Sequence, residues 1–176
     1  MKIKSLLIII ITILGLSSGS SDLYSQQVSP TYTGTWHYDN GNQRFIVKIW
    51  QENEDFLGHY KIIGLNNGVP GNTILDSRQL YPHGQRFDHV VYAGFSEEFG
   101  LSGFIYDNTI IGNDSTFKRG DLHMKMIMVP QNCQGCVVTA AWKITKPHGM
   151  IIGINHDFSI PTDVILTKVS NTVTWD

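Results

Sequence analysis

Between Tyr32 and Ile63 the chain alternates apolar with polar residues at a period of two, and turn residues break the pattern at short intervals. That pattern excludes amphipathic helices and commits the segment to half-buried strands, because only an extended backbone puts successive side chains on opposite faces. Tyr32, Gly34, Trp36 and Tyr38 share one face of a first strand, with Thr33, Thr35 and His37 on the other. Asp39-Asn40-Gly41-Asn42 supplies a turn, since Asn-Gly tolerates the positive φ of a tight hairpin. The chain returns through Arg44 to Trp50, where Phe45, Val47 and Ile49 alternate with Arg44, Ile46 and Lys48. It turns again at Glu52-Asn53-Glu54-Asp55 into a third strand, Phe56 to Ile63.

Beyond this meander, Asn66 to Asn72 reads as a loop rich in Gly, Pro and Asn, and Thr73 to Tyr81 as a weak strand. Further strands are expected over Phe87 to Phe95, Leu101 to Tyr106, Leu122 to Met128, Val137 to Thr145 and Asp163 to Val169, with Asn113 to Gly120 a loop. No repeat of fixed period is visible, which argues against a propeller or solenoid. Sequential hairpins leave open edges unless the sheet closes, so the expectation is an all-β, antiparallel up-and-down barrel, with a sandwich as the other solution.

Lys2 and Lys4 precede an apolar run from Leu6 to Leu16, followed by the Ser/Gly cluster Ser17 to Ser21. The run is shorter than the ~20 residues a membrane helix needs, and it matches the apolar region of a secretory signal peptide. Residues 1–25 are therefore expected to be a cleaved signal peptide and 26–176 a single β-barrel domain, exported to a periplasmic or extracellular compartment. Cleavage after Ser20, Ser21 or Ser25 each has a rationale: small residues suit the first two, and a mature chain opening on Gln26-Gln27 suits the third. Cutting after Ser25 removes Lys2, Lys4 and Asp22, taking the charge count from 13 basic and 15 acidic residues to 11 and 14. That balance gives no basic footprint for nucleic acid and no affinity for an anionic membrane surface.

Cys133-Gln134-Gly135-Cys136 lies between two expected strands in a chain bound for an oxidising compartment, so it reads as a short-loop disulfide, Cys133 with Cys136. Seven histidines are scattered without the spacing of a metal site, and neither a nucleophile elbow nor a phosphate loop is present. No catalytic residue, metal or cofactor is assigned. The apolar stripes offer a ligand-binding set instead, Trp36, Tyr38, Phe87, Met124, Met126 and Trp142, as the lining of an apolar cavity. Met suits such a site because it is flexible and polarizable. The same residues are equally the core of a filled barrel.

Gly34-Thr35-Trp36 at the start of the first strand resembles the G-x-W of the lipocalin-like (calycin) proteins, and is similar to the opening of avidin-type barrels. The resemblance implies a ligand-holding barrel in which this Trp packs near one end, often beneath an arginine of a late strand; here that strand offers Lys168. A second likeness joins the signal peptide, Gly34-Thr35-Trp36-x-Tyr38-x-Asn40-Gly41, Phe45-Ile46-Val47, Gly58-x-Tyr60 and Ile160-Pro161-x-Asp163-Val164-x-Leu166-Thr167-Lys168. Together these resemble a family of small secreted bacterial proteins of unknown function, which implies export and no activity. Two functions follow as expectations: a secreted binding protein for a small apolar ligand, or a structural or protein-interaction module with a filled core.

Overall fold

The computed structural model describes residues 32–79, 87–108, 117–128, 137–147 and 157–175. The signal-peptide segment and Cys133 with Cys136 lie outside the described residues. Nine strands are present among the described residues: β1 (Gly34–Asn40), β2 (Gln43–Glu52), β3 (Asp55–Asn66), β4 (Val69–Asp76), β5 (Val91–Ser96), β6 (Gly100–Asp107), β7 (Lys118–Met128), β8 (Thr139–Thr145) and β9 (Asp163–Ser170). Eight of them close a ring, β1-β2-β3-β5-β6-β7-β8-β9, in which β9 returns to pair with β1 and every pairing is antiparallel. The fold is therefore a closed antiparallel barrel, consistent with a lipocalin-like barrel, with one additional strand. No helix occurs among the described residues.

β4 is that addition. The first half of β3 pairs with β5 (Phe56 to Gly58) and the second half with β4 (Lys61 to Asn66), so β4 flanks the ring without belonging to it. This corrects the reading of Asn66 to Asn72 as a loop. Asn67 and Gly68, at φ 51° and 80°, form a two-residue hairpin turn, and Val69-Pro70-Gly71-Asn72 is already strand. Pro70 is tolerated because β4 pairs on one side only, where a missing N–H disrupts no second ladder. β7 also starts earlier than expected, at Lys118 inside the anticipated loop. At the first hairpin Gly41, at φ 60°, is the first of two loop residues and Asn42 keeps a negative φ, so the turn is of the II′ kind centred on Gly41-Asn42.

The inward set follows the alternation. Trp36, Phe45, Val47, Ile49, Phe56, Tyr60, Val91, Leu101, Ile105, Leu122, Met124, Ala140, Trp142 and Leu166 are buried together. Phe45 lies 6.0 Å, ring to ring, from both Tyr60 and Trp142. Tyr32 folds over one end of the barrel against Phe56 and Phe95, and its carbonyl accepts a 2.9 Å hydrogen bond from Trp36 Nε1. The segment 157–162 crosses the other end, where Trp142 Nε1 donates to the Pro161 carbonyl and the Ile144 amide to that of Thr162. Gly120 makes room for this plug: a Cβ there would sit 2.8 Å from the Phe158 ring.

Candidate functional site

Among the described residues, the side chains along the middle of the interior are fully enclosed. Trp36, Val47, Tyr60, Leu101, Leu122, Met124, Trp142 and Leu166 have no accessible surface. A side chain beside a void large enough for water would carry some. Of the residues expected to bind a ligand, Trp36, Met124 and Trp142 are thus enclosed, and Tyr38 and Met126 are half-buried against the same core. Phe87 is likewise half-buried against that core. It precedes β5, stacked on Tyr106 at 6.0 Å and edge-on to Phe117 at 4.7 Å.

The G-x-W motif has a physical basis here. Gly34 takes φ +126°, and a Cβ at that position would lie 2.2 Å from the Ser170 carbonyl and 3.0 Å from Lys168 Cε. Two residues on, Trp36 pairs across the ladder with Lys168, whose Nζ stands 5.5 Å over the indole. Burial holds the Lys168 pKa below that of a free lysine. The last strand therefore sets a lysine above Trp36, where the lipocalin-like pattern has an arginine.

A buried polar cluster closes the plugged end. Asp107, fully shielded, accepts from Tyr60 Oη (3.0 Å), from the Ser159 amide (2.6 Å) and from Ser159 Oγ (2.8 Å to each oxygen). Asn108 donates to the Ser77 carbonyl at 2.6 Å. Ser77 Oγ accepts the Tyr60 amide (2.9 Å) and lies 3.0 Å from His59 Nδ1, while His59 Nε2 lies 2.9 Å from the Asp88 carbonyl. These contacts are satisfied by a neutral imidazole protonated at Nε2, and burial lowers the His59 pKa accordingly. A Ser–His pair of this kind is not a nucleophilic site. Ser77 has no accessible surface, and the second ring nitrogen meets a backbone carbonyl instead of a carboxylate. The exposed pair Ser102 and His123, 3.2 Å apart, is an ordinary surface contact. No cluster of three His, Cys, Asp or Glu able to hold a metal occurs among the described residues.

The outer surface is more differentiated. Across β5 and β6, Tyr92 stacks on Phe104 at 4.8 Å, Phe104 meets Tyr106 edge-on at 5.4 Å, and the Arg119 guanidinium lies 4.6 Å over Phe104. These rings face one another and tie the strands together, as cross-strand aromatic pairs do. Across β1–β3 the outward residues are Thr35 and His37, then Arg44, Ile46 and Lys48, then His59, Lys61 and Ile63. The C-terminal residues 171–175 run over this face as a strap. Thr35 Oγ1 donates to the Thr172 carbonyl at 2.9 Å, and Lys48 Nζ donates to that of Thr174. Trp175 packs beneath Lys48 (4.4 Å) and Arg78 (4.2 Å) and edge-on to His59 (5.7 Å). Nothing in the local pattern of Thr172-Val173-Thr174-Trp175 announces this, because the contacts span more than a hundred residues.

No family model matches the chain, and comparison with curated proteins and with solved structures returns no match.

Proposed function

We propose that this chain is an exported, lipocalin-like binding module in which the barrel is the scaffold and the binding surface lies outside it. The observation that carries this reading is the enclosure of Trp36, Tyr60, Met124 and Trp142, none of which has accessible surface. An eight-stranded barrel has an interior just wide enough for side chains to fill, and these large ones fill it. An apolar ligand seated among them would have to displace core. Lys168 over Trp36 supports the lipocalin-like part of the reading, and the Lys2 to Ser21 pattern supports export.

The test is titration with a neutral apolar probe, phenylnaphthylamine, whose fluorescence rises on entering a dry pocket. No saturable enhancement is expected. Stoichiometric binding with energy transfer from Trp36 and Trp142 would overturn the reading and restore an interior site at Trp36, Tyr38, Phe87, Met124, Met126 and Trp142.

A further inference from the structure

Two segments are superfluous to closing the ring, β4 and the strap 171–175, and both border the same outer patch. β4 bounds it on the β3 side, and the end of β9 with the strap bounds it on the β1 side. Between them lies a groove of about 420 Å³. That is within the roughly 300–1,000 Å³ of small-molecule sites. Ile46 and Ile63 give it an apolar floor, and Arg44, Lys48 and Lys61 line it with cations. No carboxylate lines it among the described residues.

The nearest acids are already engaged. Asp39 is held by Arg44 through Nε and Nη2 at 2.6 and 2.7 Å, and Asp76, across the ladder from Lys61, is held by Arg78 at 2.9 Å. The Arg44 fork leaves Nη1 without a partner among the described residues, and Lys61 makes no hydrogen bond or ion pair among them. Among the described residues of this face Arg44, Lys48, Lys61 and Arg78 therefore outnumber Asp39 and Asp76, in a chain whose formal net charge is −2. His37, also in the groove, registers that field: burial and the charges of Arg44 and Lys48 depress its pKa, against the opposing pull of Asp39. Threonine hydroxyls from three segments, Thr35, Thr73 and Thr174 among them, add neutral polar groups. Cations around an apolar floor match a molecule with an anionic head and an apolar body, by the same charge and shape complementarity that orients ligands in other sites.

We propose that the groove between β4 and the C-terminal strap binds an organic oxyanion, a carboxylate, phosphate or sulfonate carried on a compact apolar body. This rests on the reading that the outer surface is the working one, and its test separates from the test of that reading. Anilinonaphthalene sulfonate is phenylnaphthylamine with a sulfonate added, so the two probes isolate the anion. The sulfonate should bind with one-site saturation and weaken as salt is raised, while the neutral probe does not bind. Lys61→Glu should abolish binding, and Lys61→Ala should weaken it by about fivefold or more, the loss expected of one charge-assisted contact at a partly solvated site. Lys125→Glu makes the same charge change on a different part of the surface and should leave affinity unaltered. Unchanged affinity in Lys61→Glu, equal loss in Lys125→Glu, or no binding of the sulfonate by the wild-type protein would each overturn the proposal. Binding of the neutral probe, by contrast, would refute the filled interior and leave the groove standing.

Discussion

Gly34→Ala is the substitution for which the structure predicts the largest effect from the smallest change. The residue sits at φ +126°, a region closed to side chains with a Cβ, and holding alanine there costs on the order of 1–3 kcal/mol. The new methyl would also meet the Ser170 carbonyl at 2.2 Å, an atom fixed by the β1–β9 ladder. Relieving an overpacked contact against backbone typically costs another ~1–3 kcal/mol. The sum is about 2–6 kcal/mol, a large share of a domain's stability, and it falls on the pairing that closes the barrel. Gly41→Ala is the control. That glycine also has positive φ, +60°, but nothing lies within 4 Å of the added methyl, so only the left-handed penalty of ~1–2 kcal/mol applies. Urea unfolding followed by tryptophan fluorescence measures both. Equal losses in the two variants, or a loss below about 1 kcal/mol at Gly34, would show that the close approach to Ser170 is not what fixes glycine in the G-x-W motif.

Two further outcomes are expected. The His37 pKa is lowered from 6.5 to about 4, chiefly by burial, so between those values the unfolded chain binds more protons than the folded one. Stability therefore rises with pH through that window and is lost as pH falls from about 6.5 toward 4; His37→Asn should make the urea midpoint at about pH 4.5 fall less, relative to about pH 7, than in the wild type, and an identical drop would refute the assignment. His59, shifted in the same direction, keeps part of the slope. At the plugged end, Asp107→Ala removes the acceptor that Tyr60 Oη, the Ser159 amide and the Ser159 hydroxyl share and should cost ~3–5 kcal/mol, whereas Tyr60→Phe removes one donor and should cost ~1–2 kcal/mol; equal costs in thermal or urea unfolding would mean the network is not centred on the carboxylate.

What the sequence disclosed was what period-two alternation controls. The meander Gly34 to Ile63, the shared face of Phe45, Val47 and Ile49, that of Trp36 with Tyr38, and the barrel itself follow from residues that bury one face of a strand. β4 was obscured because Pro70, Gly71 and Asn72 carry loop chemistry, which an edge strand outside the ring tolerates and a central strand does not. Asn67-Gly68 was a usable hairpin signal of the same kind as the one at Gly41. The expected ligand set named core residues because a filled barrel and a ligand-lined barrel have the same inward pattern; only the fit of Trp36 against its neighbours separates them. The groove was invisible for a different reason. Arg44, Lys48 and Lys61 look like ordinary outward residues of two strands, and what gathers them into a groove is a hairpin and a strap brought beside them by long-range contacts.

The division between ring and additions separates the part of the fold that packing fixes from the part that can vary. Ring residues are constrained twice, by the ladder and by the packing of Trp36, Phe45, Tyr60 and Trp142, so a change of volume there is felt through the whole interior. β4 pairs only with β3, and the strap touches the barrel through Thr35, Lys48, His59 and Arg78. Altering Thr73 or Thr172 therefore reshapes the groove without touching the closed ring. Because β3 gives its first half to β5 and its second half to β4, one strand both completes the scaffold and carries the groove, with Lys61 placed just beyond the point where the two roles divide. A surface built in this way can vary in charge and shape while the barrel beneath it keeps its register.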